Sequence, residues 1–253
     1  MRSTGAFFAA ERIKWRRSWP LVIALLAPLC QAGFLAIIFW FSENRVRMFQ
    51  PGFQFWLELN FVVWNLMVLP VMTALLCELS WEQEREARAW NLLLVQPVPR
   101  HTHFLVKGLG HFTLVFLSQC VLALALPLLG FLFRSKPDLG MGPLPLVLLL
   151  QFLMYSILAS IGPVAFHTWL SMRIPGIWMA LAVAVAGTWL AFRLVGASSL
   201  VQALPWGLAA HMSIVFERWR DLPWTQVPMG LLLGGGLLAL GTFDFTRHRE
   251  TRS

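Results

Sequence analysis

Six apolar runs, each long enough to cross a lipid bilayer, decide what this chain can become. Spanning ~30 Å of hydrocarbon takes about 20 apolar residues in a helix. The runs Pro20–Phe41, Leu59–Cys77, Phe104–Phe133, Pro143–Leu170, Gly176–Gly196 and Gln226–Phe245 meet that length and fill more than half of the 253 residues. In hydrocarbon every backbone N–H and C=O must be bonded within the protein, so runs of this kind fold as helices. The expected fold is therefore an all-α polytopic membrane protein, a single transmembrane domain over residues 1–253 with spans at 20–41, 59–77, 104–133, 143–170, 176–196 and 226–245. Composition agrees. With 58% hydrophobic and only 13% charged residues, against about a quarter charged in soluble domains, a water-soluble enzyme and a nucleic-acid-binding domain are both excluded. The net charge of +8 is read as basic loops held at an anionic membrane surface.

Charge distribution orients the spans. With six spans and the N-terminus inside, 13 of the 20 Lys and Arg fall on the cytoplasmic side, so positive-inside counting places both termini in the cytosol. A seventh run, Leu200–Phe216, is short and interrupted by Pro205, His211, Gln202 and Ser213. It is read as an outer re-entrant hairpin over residues 200–219, because broken helix at membrane depth persists only when protein covers it. Arg218 and Arg220 then face outward. The first run, 22 residues long and without a small residue before Cys30, is read as a retained span and not a cleaved signal.

Two polar segments carry more information than the spans. Residues 1–19 include Phe8, Trp15 and Trp19 on one side of a helical wheel, with Arg12, Arg16 and Arg17 interspersed, the pattern of a helix lying in the interface. Between spans two and three, Glu78, Glu82 and Glu86 recur every four residues, and Glu84 sits four before Arg88. On a wheel, Glu78, Glu82, Glu84, Arg85 and Arg88 share one face, while Leu79, Ala87, Trp90, Leu93 and Leu94 share the other. Pro97 and Pro99 end the helix, and Arg100 and Lys107 flank the next span. Residues 78–99 thus read as an amphipathic helix and turn, charged face toward a soluble partner, where a plain connector would need only a few residues.

These segments resemble the ABC-2-type permeases. The similarity rests on Phe8-x-x-Glu11-Arg12-Ile13-Lys14-Trp15-Arg16-Arg17-Ser18, on Pro70 before the acidic run, on Ala89-Trp90-Asn91-Leu92-Leu93, and on Gln96-Pro97-Val98-Pro99-Arg100 with Lys107 beyond. Gln96 and Pro99 depart from the usual Leu and Ser. Within that family the chain is most similar to lantibiotic and bacitracin immunity permeases, a branch that Leu170-Ser171-Met172-Arg173 and Leu204-Pro205-Trp206 also fit. The resemblance implies a multi-pass subunit of a bacterial cytoplasmic (inner) membrane, paired with a second permease subunit, identical or homologous. Two copies of an ATP-binding subunit, which bind ATP and Mg, would drive it through the coupling residues Glu78, Glu82, Glu84, Arg85, Glu86, Arg88, Trp90 and Arg100. By the same resemblance Glu58, Asn60 and Asn65 on span two are expected to line the substrate path. The implied function is export of an amphipathic peptide such as a lantibiotic. The alternatives are an ABC-2 permease for a lipid, cofactor or other small molecule, and a non-transporting assembly or sensor subunit.

No catalytic site is expected. A phosphate-binding loop needs Gly-Lys-Ser/Thr, and Lys14, Lys107 and Lys136 follow Ile, Val and Ser. Gly234-Gly235-Gly236 lies inside the last span and reads as a close helix-packing point or a local kink. His103, Lys107 and His111 recur at four-residue spacing, but a lysine between two ligands opposes a metal. No metal and no nucleic-acid partner is expected.

Overall fold

The structure, a computed structural model, describes residues 14–15, 18–41, 52–86, 99–135, 141–195, 201, 203–212 and 224–247. Seven α-helices are described: α1 (Trp19–Phe41), α2 (Phe53–Glu86), α3 (Arg100–Leu132, prolonged by a 3-10 turn at Phe133–Ser135), α4 (Leu146–Arg173), α5 (Ile177–Leu194), the single-turn α6 (Gly207–Ala210) and α7 (Val227–Arg247, entered through a 3-10 turn at Trp224–Gln226). All but α6 are long and apolar enough to cross a membrane, six in number as expected. Among the described residues there is no strand.

One boundary is corrected. The second span and the helix expected to follow it at residue 78 are a single helix of 34 residues, Phe53–Glu86. At ~1.5 Å per residue it measures about 50 Å, well beyond the hydrocarbon thickness. Its sole irregularity is a π turn at Trp64–Val68. Pro70 follows directly; its ring would press on the carbonyl of Leu66 and it has no N–H to offer, and the widened turn falls where that strain would arise. The helix is described as far as Glu86; Ala87 to Val98, including Arg88 and Trp90, lie outside the described residues. α3 starts at Arg100 behind Pro99, whose φ of −57° and ψ of 132° turn the chain into the new helix. With 33 residues, α3 also overruns the bilayer.

α2 is the axis of the bundle. Of its most apolar stretch 61% is buried, against 17% for α5 and for α7. α2 and α4 run parallel at a fixed offset: Phe61 stacks on Phe152 with ring centroids 5.4 Å apart, Ser156 donates to Asn65 Oδ1 at 3.2 Å, and Cys77 Sγ lies 3.7 Å from Thr168 Oγ1. Small residues set the closest approaches, since hydrocarbon gives helices no hydrophobic reason to associate. Ala74 of α2 meets Ala180 and Ala184 of α5. A Cβ on Gly234 of α7 would stand 2.6 Å from Ile161 of α4.

The segment 203–212 packs into the bundle. Leu208 accepts from the Tyr155 hydroxyl at 2.9 Å, and Trp206 wedges between Phe166, His167 and the bare face of Gly187, where a Cβ would come within 2.2 Å of the indole. Residues 213–219 of the expected hairpin lie outside the described residues. At the other end of the chain, Trp15 departs from the interfacial expectation. Its ring packs on α3, 3.0 Å from where a Gly110 Cβ would sit. Trp19 is 69% exposed, as an interfacial anchor requires. Phe8, Arg12, Arg16 and Arg17 lie outside the described residues.

Candidate functional site

The charged residues at the end of α2 meet the start of α3, the end of α4, the start of α5 and the segment before α1, all at one end of the bundle. Glu84, 6% exposed, stands between two lysines: Lys14 Nζ at 2.8 Å and Lys107 Nζ at 2.9 Å. Lys107 also donates to the Ser80 carbonyl at 2.9 Å and lies over the Trp81 ring, 5.2 Å from its centroid. The Trp81 indole N–H donates to the Thr168 carbonyl at 2.9 Å, and Thr168 Oγ1 is 2.9 Å from His111 Nδ1. A carboxylate on α2 thus organises α3, α4 and the N-terminal segment around itself. Charges this far from water persist only when paired and hydrogen-bonded.

Glu78 does the same one face over. It pairs with Arg85, and its Oε1 accepts the backbone N–H of Gly176 at 2.8 Å. That N–H sits at the N-terminus of α5, where a carboxylate is favoured by the helix dipole. Gly176 takes φ of 135°, a conformation that strains any residue with a Cβ. Arg85 completes the tie to α4 by donating to the Ser171 carbonyl at 3.0 Å. Alongside, Arg173 of α4 pairs with Asp244 of α7, which also accepts the Trp169 indole N–H at 2.9 Å. α2 to α5 are thereby locked by one set of charges, and α4 to α7 by another.

This geometry corrects the direction of the expected charged face. Glu78 and Glu84 are 1% and 6% exposed and look into the bundle. Among the described residues of that charged segment only Glu86 is exposed, with Glu82 and Arg85 half-buried. A helical wheel separates charged from apolar residues, but it cannot tell water from a neighbouring lysine. Arg100 is the first residue of α3.

The expected substrate-path residues are also placed differently. Asn60 and Asn65 are fully buried within the subunit. Asn60 Oδ1 accepts from Gln31 Nε2 of α1 at 3.1 Å, and Asn65 joins α2 to Ser156 of α4. Both also bond back to carbonyls four residues earlier. These side chains fasten helices together, as amides in apolar surroundings do. Glu58 differs: Oε1 accepts from Gln54 at 2.8 Å, while Oε2 is buried with no partner among the described residues. Beside the π turn, α2 and α5 leave an apolar groove of about 350 Å³ lined by Leu66, Met67, Val71, Val185, Trp189 and Phe192, together with Thr188.

Lys14, Lys107, Thr168, Gly176, Arg173 and Asp244 join the site without having been expected in it. The only sequence signals were the seven-residue spacing of Glu78 and Arg85 and a lone lysine among arginines at position 14. Apart from Lys107, 23 residues from Glu84, the partners lie 70 to 98 residues away and leave no trace in a local pattern.

Residues 7–191, well over half of the chain, match the family described as "ABC-2 family transporter protein". No curated protein matches the chain.

Proposed function

The chain belongs to the ABC-2 family of transporter proteins, and from that premise we propose that it is the permease subunit of an ABC exporter for amphipathic peptides such as lantibiotics, driven at the charged end of α2. The family is the membrane component of its transporters, a multi-pass protein distinct from the ATPase that powers it. A separate ABC ATP-binding subunit, in two copies that hold ATP and Mg, docks on the tip of α2 around Glu82 and Glu86 and on Arg88 in the sequence that follows it. This end then faces the cytosol, with both termini on the cytoplasmic side of the bacterial inner membrane.

The observation that carries the proposal is the division of labour among the carboxylates of that tip. Glu86 is exposed and Glu82 half-buried, available to a partner, whereas Glu78 and Glu84 clamp the same helix to α3, α4 and α5. A push on the tip is passed to the whole bundle, because no neighbouring helix is free to stay behind. A second permease subunit, identical or homologous, meets this one along α2 and α5, where the apolar groove beside the π turn would be covered.

The test is protection. Cells expressing this chain with its ATP-binding subunit are expected to survive a panel of membrane-active peptides, lantibiotics and bacitracin-like compounds at higher doses than cells lacking either one. Unchanged survival across the panel, with export of a lipid or other small molecule lost on deletion, would refute the peptide substrate.

A further inference from the structure

At the end of the bundle that holds the ion pairs, α4 and α7 leave a second groove, of about 300 Å³, lined by Trp169, Leu237, Leu240, Phe243 and Asp244. Its lining is graded along α7. Leu237, Leu240, Asp244 and Arg247 recur at three- and four-residue spacing, so they form one stripe that runs from apolar to charged. Leu240 is 65% and Phe243 53% exposed. One turn further, the Arg247 guanidinium lies 4.1 Å from the Phe243 ring centroid, and Arg173 pairs with Asp244 beside the Trp169 indole. Among the described residues the rim holds two guanidinium groups against one carboxylate.

We propose that this groove is a binding site for a single anionic phospholipid of the leaflet at this end. An acyl chain would lie along Leu237, Leu240 and Phe243, with the phosphate at the rim beside Arg247 and Arg173. Three features select that ligand over the bulk bilayer. The apolar floor stops where the charges begin, as a lipid changes from chain to headgroup. The excess charge at the rim is positive, which favours an anionic headgroup; basic pockets between transmembrane helices are a known device for this. The Trp169 indole sits at the boundary, where aromatic rings mark the headgroup level. The opposite end of the bundle supplies a comparison, since Arg134 lies in the same way over Phe131, 4.6 Å from its centroid, and neither residue lines this groove.

The experiment is native mass spectrometry of the full chain, delipidated and then titrated with phosphatidylglycerol or with phosphatidylcholine of the same acyl chains. The wild type should retain one phosphatidylglycerol in preference to phosphatidylcholine. Arg247→Gln should weaken that retention about fivefold, the worth of one basic residue at an anionic membrane surface. Leu240→Trp, which fills the groove, should abolish it, and Arg134→Gln should leave it unchanged. Arg247 is exposed, so its variant tests the site even if Leu240→Trp does not fold. Equal retention of the two lipids by the wild type, or no difference between Arg247→Gln and the wild type, would overturn the proposal. So would an equal loss in Arg134→Gln.

Discussion

Glu84 holds two lysines of unequal standing. The Lys107 side chain is 4% exposed and that of Lys14 41%. Removing one partner of a buried pair leaves an uncompensated charge and costs roughly 3–5 kcal/mol, whereas a solvated pair is worth at most about 1 kcal/mol. Glu84→Gln and Lys107→Gln should therefore lower the thermal unfolding midpoint of the purified protein strongly, and Lys14→Gln only slightly. Tryptophan fluorescence during a thermal ramp checks the order. Equal losses for Lys107→Gln and Lys14→Gln would show that the network is not graded by burial. At this scale the sequence was half legible. The acidic residues of the tip stood out by spacing, but which of them turn inward depends on lysines 70 residues earlier and 23 later, and on the amide of Gly176.

Elements meet where side chains are missing. Gly187 of α5 faces the Trp206 ring, with 2.2 Å to a Cβ, and Gly162 of α4 faces the Pro205 carbonyl, with 2.4 Å. A methyl at either position must displace the segment 203–212, and overpacking of this kind costs about 1–3 kcal/mol. Gly235 of α7 has nothing within 4 Å, and there alanine improves helix propensity by up to about 1 kcal/mol. The yield of monodisperse protein and its unfolding midpoint should fall for Gly162→Ala and Gly187→Ala, and hold or rise for Gly235→Ala. A Gly187→Ala variant as stable as the wild type would mean that Trp206 is not wedged against α5. The glycine triplet, read from sequence as a packing point, is one only at Gly234, which meets Ile161; nothing lies within 4 Å of a Cβ on Gly235 or Gly236. The spans themselves were legible from hydropathy alone, because bilayer thickness fixes their length. The continuity of α2 through residue 78 is not legible in this way, since a run of charge resembles the end of a span even where neighbouring helices solvate it.

For the whole molecule, the account requires an orientation and a drive. Six spans with the N-terminus inside assign 13 of the 20 Lys and Arg to the cytoplasmic side by sequence. In a cysteine-free background, an impermeant thiol reagent applied to intact cells should label a cysteine at position 218 and spare one at 252. Labelling of 252 alone would invert the bundle and move the charged tip of α2 outside. If the tip does face the ATPase, its exposed charges fix the partner while the buried ones keep the permease whole. No single exposed pair is decisive at about 1 kcal/mol or less, so the informative variant combines Glu82→Ala, Glu86→Ala and Arg88→Ala with Glu78 and Glu84 left intact. The most direct measurement is the amount of ATP-binding subunit that co-purifies with this variant in detergent, with transport recorded alongside. The account predicts normal insertion and an unchanged unfolding midpoint, with the ATPase largely lost from the complex and transport abolished. Full retention of the ATPase together with full transport would show that the end of α2 is a connector and not the coupling site.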